Sequence, residues 1–507
     1  MFCRCLSAAN YGVETVPVYV EADVSDGFPC FTIVGYAGTQ VKEAQERVRT
    51  ALRNIGIRLP PKRITINLFP GNLRKEGTRF DLPIAVAILM AMEKIPVQGL
   101  EDFLFLGELH LDGTVGMVPG VLPSLILAKE SGCSGCVIPA GNLKEGRIIR
   151  DLQVIGVSTL SDFLAFARER VIPPEQETAG KGEKQGETVP DFSEIRGQEA
   201  LKRVSVIAAA GFHNLILSGP PGSGKSMAAK RIPTILPPLT EEESMELSGI
   251  YSIAGLLPEN SGLLTQRPFQ APHHTISPSA LCGGGRIPHP GEITLAHRGV
   301  LFLDEFPELK PATLEMLRQP LEERQITIAR LESTCTFPAE FLLVAAMNPC
   351  PCGYHPDKNR CTCTMHDLRK YRQKLSGPIL DRIDLRCDVQ EVEYQDLKTG
   401  SGGQISSADM QQQVIHAAGI QRERYKKEGW LFNSELRPEA MERYCPLTEE
   451  AERLLSRAFT TLGLSARGYH RILKLARTIA DLDQEEIIGT VHISEAISYR
   501  SRGQNGK

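Results

Sequence analysis

The chain has 507 residues, of which 42% are hydrophobic and 23% are charged. This composition is typical of a globular protein of about three domains and excludes a disordered chain or a fibre. The formal net charge of −4 excludes a wholly basic nucleic-acid coat protein, but it is compatible with a local basic channel. The chain contains 13 cysteines and begins without a secretory signal, so we expect reduced thiols and a cytoplasmic protein.

The first third of the chain mixes the periodicities of strands and helices. Strands are predicted at residues 16–24, 63–68, 103–111 and 135–139, and helices at 40–55, 82–92 and 121–129. The run 82–92 is the longest apolar one and is too short to cross a bilayer, so no membrane partner is expected. The pattern predicts an α+β domain over residues 1–171.

A break in composition follows at residues 172–190, IPPEQETAGKGEKQGETVP. This stretch has almost no apolar residues and is rich in Gly, Pro, Glu and Lys. Because it cannot bury a face, it is predicted to be a flexible linker.

The remainder of the chain predicts an α/β core over residues 191–400 and a helical domain over 401–507. Continuous apolar runs at 214–218, 300–303 and 341–346 are typical of the central strands of a parallel sheet. Helical spacing recurs at 199–210, 409–427, 448–462, 466–482 and 494–499.

A phosphate-binding motif, G-x-x-x-x-G-K-[ST], lies between the strand at 214–218 and a helix. Its residues are Gly219, Pro220, Pro221, Gly222, Ser223, Gly224, Lys225 and Ser226. Glycines let backbone amides approach an anion, Lys225 would reach the β- and γ-phosphates, and Ser226 would hold Mg²⁺. The alternative is a glycine-rich connector that binds nothing.

A pair of acids follows the apolar strand at 300–303. Asp304 would orient Mg²⁺, and Glu305 would polarise the attacking water. The alternative is a strand that ends at solvent with two capping acids.

Together with Asn348, which follows the next strand, these motifs resemble those of AAA+ ATPases. The resemblance implies that Asn348 aligns the lytic water. It also implies that Arg382, in GPILDRIDL at 377–385, acts in trans on a neighbouring subunit's ATP. Arg467, which opens a predicted lid helix, would contact the γ-phosphate in cis, with Arg471 as its rival. A surface salt bridge is the alternative for each arginine.

Longer stretches are similar to the ComM/YifB group of magnesium-chelatase-like ATPases. They are APHHTIS at 271–277, the strand and acids at 299–305, and AMNPCPCG at 346–353. The resemblance implies an AAA+ P-loop core with a C-terminal helical lid. It further implies a homo-hexameric, ATP-driven motor on single-stranded or branched DNA. Such a motor would work with recombination proteins and promote branch migration in natural transformation.

Within that resemblance, the first third resembles a Lon-protease-like (ribosomal S5 domain 2-like) domain, through KEGTRFDLPIA at 75–85 and residues 107–120. A protease of this type needs a serine nucleophile and a lysine base. Asp81 stands about where the serine would be, and Leu122 or Pro123 about where the lysine would be. We therefore expect no peptidase activity, and a scaffold or DNA-contacting role instead.

Two close pairs of cysteines form a candidate metal site: Cys350, Cys352, Cys361 and Cys363. Four thiolates that converge in this way suit a structural Zn²⁺, although the C-x-C spacing is less common than C-x₂-C. His355 and His366 are substitute ligands, and four reduced thiols without metal are the alternative.

Two segments are predicted to contact DNA. The insertion at 263–295 carries Arg286 and the histidine pair 273–274, and a hairpin predicted at 325–336 carries Arg330. The arginines could contact phosphates, whereas inter-subunit or lid contacts are the alternative. The histidines could be pore residues, structural donors or metal ligands.

Three functions remain open from the sequence. A DNA motor is the leading one, and a chelatase-like or chaperone-like motor that remodels a protein partner is the second. The third, a scaffold that does not hydrolyse ATP, is disfavoured because assembly alone needs no water-activating Glu305.

Overall fold

A computed structural model describes residues 1–173, 190–258, 262–285, 288–329, 334–391 and 405–501. Most of the predicted linker, and residues 392–404 at the predicted border between core and lid, lie outside this set. The borders predicted near 171, 190 and 400 therefore stay predictions. Within the described ranges, no helix is long and apolar enough to span a membrane.

Eighteen strands occur in the described part of the chain. They are β1 (Phe2–Tyr11), β2 (Glu14–Ser25), β3 (Cys30–Val34), β4 (Arg63–Phe69), β5 (Phe103–Phe105), β6 (Glu108–Leu109), β7 (Val115–Gly116), β8 (Gly135–Pro139), β9 (Gln153–Val157), β10 (Leu215–Ser218), β11 (Phe269–Gln270), β12 (Gly283–Gly284), β13 (His289–Pro290), β14 (Val300–Leu303), β15 (Gln325–Ala329), β16 (Thr334–Pro338), β17 (Leu342–Met347) and β18 (Leu385–Asp388).

The same residues form nineteen α-helices. They are α1 (Thr39–Asn54), α2 (Asp81–Ala91), α3 (Val121–Glu130), α4 (Leu143–Gly146), α5 (Leu160–Glu169), α6 (Glu199–Gly211), α7 (Lys225–Ile235), α8 (Glu241–Ala254), α9 (Pro278–Cys282), α10 (Glu292–Leu295), α11 (Pro311–Met316), α12 (Arg318–Glu323), α13 (Met365–Gln373), α14 (Gly377–Leu380), α15 (Ser407–Arg424), α16 (Met441–Tyr444), α17 (Glu449–Thr461), α18 (Ala466–Leu482) and α19 (Thr490–Ser501).

The chain forms two compact units. Unit 1 comprises Met1–Gln185, Glu241–Leu264 and Ala329–Cys335, and unit 2 comprises Gly186–Thr240, Thr265–Ile328 and Thr336–Lys507.

Unit 1 is built on a mixed seven-stranded sheet in the order β3-β4-β2-β1-β5-β8-β9. β1 and β2 pair antiparallel, whereas β5, β8 and β9 run parallel. Every residue of α2 is buried, which explains why its sequence shows no polar face. α8, which follows α7 in the chain, belongs to this unit, where its Ser252 hydroxyl donates to Glu145 at 2.6 Å.

Unit 2 contains a five-stranded parallel sheet in the order β11-β14-β17-β10-β18. Apart from Ser218 and Met347 at their ends, β10, β14 and β17 are buried throughout, as their continuous apolar runs predict. β10 pairs with β17, and β17 pairs with β14. The carboxyl ends of these three strands therefore lie side by side.

The carboxy-terminal helices of unit 2 enclose a buried charge cluster around Asp481, whose side chain has no exposed area. Arg424 donates to both of its carboxylate oxygens, at 2.8 and 2.5 Å, and Arg477 donates to one at 3.1 Å. The amide of Asn433 donates at 2.8 Å. The carboxylate thus accepts hydrogen bonds from two α-helices and from a short 3₁₀ helix at Asn433–Glu435.

Two sequence predictions in unit 1 differ from the structure. The run 103–111 is not one strand: β5 joins the large sheet, and β6 pairs with β7 in a separate ribbon. β1 had no counterpart among the predicted strands, yet it pairs with β2 along its whole length. Pairing with a neighbouring strand decided both cases.

Replacing Asp481 by asparagine should lower the free energy of unfolding by about 3–5 kcal/mol, because the buried guanidinium of Arg477 and the partly buried one of Arg424 lose their counter-charge. Chemical denaturation would measure it. Asp483→Asn is the matched control; its side chain is 40% exposed, and we expect a loss of about 1 kcal/mol or less. Equal losses in the two variants would contradict the importance assigned to the cluster.

Candidate nucleotide-binding site

The phosphate-binding motif of unit 2 forms a loop between β10 and α7. Gly224, the residue before the helix, has φ +87°, a backbone conformation that residues with a side chain rarely adopt. Lys225 is buried, and its Nζ donates to the carbonyl oxygens of Gly219 and Pro220 at 2.6 and 2.8 Å. Burial lowers the pKa of Lys225, and the Asp304 carboxylate opposes that shift. The ammonium is therefore already inside the loop that would surround a phosphate.

A candidate Mg²⁺ site lies next to this lysine. The Ser226 hydroxyl donates to the Asp304 carboxylate at 3.0 Å. Serine hydroxyl and carboxylate oxygens are the hard ligands that Mg²⁺ accepts beside phosphate oxygens. These two side chains fit the cation that the motif predicts.

Glu305 follows Asp304 and has an uncommon left-handed backbone, with φ +48°. Its carboxylate lies 3.0 Å from Nδ1 of His274. The His273 ring packs against that of His274, with ring centroids 4.1 Å apart. Of the roles that the sequence left open for this histidine pair, the contact favours a structural donor for His274.

Asn348 reaches the same edge of the sheet from the end of β17. Its side-chain oxygen accepts a hydrogen bond from Lys225 Nζ at 3.4 Å. The structure therefore brings Lys225, Ser226, Asp304 and Asn348 together, with Glu305 directly after Asp304.

The two predicted arginines lie elsewhere in unit 2. Arg382 binds the Glu322 carboxylate at 2.8 Å and donates to the Pro378 carbonyl at 2.7 Å. Arg467 approaches the other oxygen of Glu322 at 3.5 Å. Among the described residues, no contact joins either arginine to Lys225, Asp304 or Glu305.

Both arginines line a cavity of about 950 Å³, together with Asn214, Phe341 and Asp384. These three residues precede β10, β17 and β18, so the cavity lies at the amino ends of the strands, whereas Lys225 lies beyond the carboxyl ends. One chain by itself does not place Arg467 at its own phosphate loop, as the expected cis role would need.

Asp384 was not singled out in the sequence. Its carboxylate lies 3.5 Å from Arg471 and accepts the backbone N–H of Asn214 at 3.2 Å. Burial alone would raise the pKa of Asp384, but Arg471 and His213 hold it well below its usual range. The sequence feature that could have identified Asp384 is its place as the second acid of Asp-Arg-Ile-Asp at 381–384.

Gln198 was also missed. Its side-chain amide donates to the carbonyl oxygens of Ser223, in the phosphate loop, and Gln390, after β18, at 2.9 and 3.2 Å. Its sequence offered no pattern that identifies this role.

The four cysteines predicted to bind metal converge. All four Sγ atoms lie within 4.8 Å of one another. Sγ of Cys350 lies 3.3 Å from that of Cys352 and 3.9 Å from that of Cys361. A hydrogen bond from the Tyr354 backbone is the largest of the contacts that lower the pKa of Cys352, whereas the pKa values of Cys361 and Cys363 are raised beside it. The donor set fits Zn²⁺.

In unit 1, Asp81 is buried, and its carboxylate binds the Arg47 guanidinium through two hydrogen bonds, of 2.6 and 2.9 Å. Burial raises the pKa of Asp81, and Arg47 opposes that shift. Leu122 and Pro123 lie in α3. The arrangement offers a structural ion pair.

Of the predicted DNA contacts, Arg286 and Arg330 lie outside the described residues. The predicted hairpin is present as the paired strands β15 and β16.

Comparison with known proteins identifies the family. The profile of magnesium chelatase subunit ChlI matches residues 191–397, a second ChlI profile matches 20–142, and the ChlI C-terminal profile matches 404–500. Competence protein ComM of Haemophilus influenzae is 42% identical over 499 residues, which are 98% of this chain and 96% of that protein. YifB of Escherichia coli is 42% identical over 500 residues, with 97% and 96% covered.

The amino-terminal part has a further likeness. Lon protease 2 of Bacillus subtilis is 32% identical over 130 residues, 25% of this chain and 22% of that protease. This agrees with a Lon-protease-like domain before an AAA+ core. Because the ComM and YifB likeness extends over nearly all of the sequence, the chain belongs to the ComM/YifB family of magnesium-chelatase-like AAA+ ATPases.

Proposed function

We propose that this protein is a cytoplasmic, hexameric, ATP-driven motor on DNA. It would be a branch-migration helicase that helps recombination proteins integrate single-stranded DNA during natural transformation. The observation that carries the motor is the meeting of Lys225, Ser226, Asp304 and Asn348 at one edge of the parallel sheet. The DNA substrate is supported by the nearly full-length likeness to a competence protein.

ATP would bind with its phosphates in the loop before α7. Lys225 would leave the loop carbonyls for the β- and γ-phosphates, and Ser226 and Asp304 would hold Mg²⁺. When bound, Mg²⁺ neutralises charge on the phosphate oxygens. Glu305 would accept a proton from the attacking water, and Asn348 would orient that water.

Arg382 would serve a neighbouring subunit. It lies at the sheet edge opposite to its own phosphate loop, which supports a contact with the γ-phosphate of another copy. A guanidinium is suited to this task because it donates to two phosphate oxygens at once. Arg467 is proposed to contact the γ-phosphate in cis, which would require it to leave Glu322 and α18 to move towards the phosphate loop.

The amino-terminal domain is proposed not to be a peptidase. The Asp81 carboxylate is paired with Arg47. The positions where a lysine base would be expected hold Leu122 and Pro123, which cannot accept a proton. The domain would be a scaffold or contact DNA.

The cysteine cluster is proposed to hold a structural Zn²⁺, supported by the convergence of its four Sγ atoms. Bound Zn²⁺ would cross-link the segment between Asn348 and Arg382.

A motor that remodels a protein partner is the second candidate, favoured by the chelatase profile over residues 191–397. The two candidates differ in what stimulates ATP hydrolysis.

Forked or single-stranded DNA should stimulate ATP hydrolysis several-fold, measured as phosphate release.

Lys225→Ala should lower turnover by about 100-fold or more because the phosphate charge loses its cation. Glu305→Gln should still bind ATP but hydrolyse it about 100-fold more slowly. Glu308→Gln, the same change three positions later, should leave the hydrolysis rate unchanged. Indifference to DNA would favour the protein remodeller, and normal turnover by Lys225→Ala would refute the site.

Equal amounts of Arg382→Ala and Lys225→Ala, each inactive alone, should regain activity when mixed. Random assembly gives about a quarter of the sites an intact lysine and an intact arginine from the neighbour. Phosphate release after mixing and reassembly would measure this. An arginine acting in cis gives no recovery.

His274→Ala should lower kcat by about three- to tenfold with little change in KM, because Glu305 loses the donor that orients its carboxylate. Steady-state ATPase kinetics would measure it. His274→Asn keeps a donor and should retain most of the rate. His110→Ala, at an exposed histidine of unit 1, is the control, because His273 packs against His274 and is not independent of it. Equal effects of both alanine variants would argue against a specific contact.

A further inference from the structure

We propose that the cysteine-bound Zn²⁺ site is a mechanical support of the phosphate loop, so that ATP affinity depends on the metal. This inference rests on the proposed ATP site and the proposed Zn²⁺. It adds a function for the metal: by fixing the loop that carries the four cysteines, Zn²⁺ would hold in place the two parts of the nucleotide site that this loop contacts.

The spacing of the thiols matches a tetrahedral metal centre. Four Zn–S bonds of about 2.3 Å place neighbouring sulfurs about 3.8 Å apart. Sγ of Cys361 lies 3.9 Å from that of Cys350 and 3.6 Å from that of Cys352. The loop thus already holds sulfurs at metal-site distances, and Cys350 is fully buried.

The first contact between the cysteine loop and the nucleotide site is Gly353, one residue after Cys352. Gly353 has φ +90° and packs against Pro221 of the phosphate loop. A Cβ atom at this glycine would lie 2.6 Å from Cδ and 2.8 Å from Cγ of that proline. The Gly353 backbone therefore packs directly against the Pro221 ring, with no room for a side chain at position 353.

The second contact is Asn348, two residues before Cys350. Its side chain accepts the hydrogen bond from Lys225 Nζ. A metal bound to Cys350 and Cys352 would fix the chain on both sides of Pro351. Because only Pro349 separates Cys350 from Asn348, the metal would also restrict the position of the Asn348 amide.

Surface contacts of Arg360 help to hold the far end of the loop. Arg360 binds both oxygens of Glu391 at 2.7 and 2.9 Å, and its guanidinium lies 4.1 Å from the centre of the Tyr354 ring. Because both partners in this ion pair are about half exposed, the pair stabilises little by itself. Binding of Cys361 and Cys363 to the same ion would supply the missing restraint.

The test compares full-length wild type with Cys361→Ser/Cys363→Ser. Elemental analysis should find about one zinc per wild-type chain and none in the variant. Binding of a non-hydrolysable ATP analogue should weaken by about tenfold in the variant, with the circular dichroism spectrum unchanged. Cys133→Ser, a thiol of unit 1 outside the cluster, should keep both the zinc and the affinity.

Gly353→Ala separates metal binding from its effect. It should keep zinc but lose affinity for the analogue by several-fold, because its Cβ displaces Pro221. Gly419→Ala, which meets nothing within 4 Å, should bind normally.

Absence of zinc in the wild type, or analogue affinity within twofold of wild type after zinc loss, would overturn the inference. Failure of the proposed ATP site would give a different result. In that case Lys225→Ala would bind the ATP analogue as tightly as wild type does, whatever its zinc content.

Discussion

The parallel pairing of β10, β14 and β17 is the constraint on which the nucleotide site depends. Leu217 lies opposite Ala346, and Leu303 lies opposite Ala345, so the three strands end at one edge. The phosphate loop, the Asp304–Glu305 pair and Asn348 follow those ends directly. Backbone hydrogen bonds between strands therefore bring together Lys225 and Asn348, which are 123 positions apart in the chain. No side chain of the site has to create this proximity itself.

In the structure the reactive groups are bound to protein partners. Lys225 donates to carbonyl oxygens of its own loop, Glu305 contacts His274, and Arg382 binds Glu322. Each would exchange such a partner for a phosphate oxygen or a water molecule during a catalytic cycle. These pairings keep the charged groups satisfied and, in the proposed mechanism, would limit the reorganisation that the reaction requires.

The arginines place a different demand on the protein. Because Arg382 and Arg467 lie at the amino ends of the strands, a single chain separates its phosphate loop from its guanidinium groups. Asp384 lies two positions after Arg382. It stabilises this edge of the sheet because it binds Arg471 of the lid helix α18. This ion pair joins α18 to the segment that carries Arg382.

The sequence by itself determined the features that depend on local spacing. The glycines and lysine of the phosphate loop, the buried strands of unit 2 and the paired cysteines were all readable, because a turn, an apolar run or a ligand spacing requires particular residues at neighbouring positions. Only the tertiary structure decided which distant groups meet: His274 with Glu305, Glu322 with both arginines, Gly353 with Pro221, and α8 with unit 1. It also decided that residues 103–111 divide between two sheets. Such contacts follow from strand order and packing across the chain, which leave no periodic trace in the sequence around either partner.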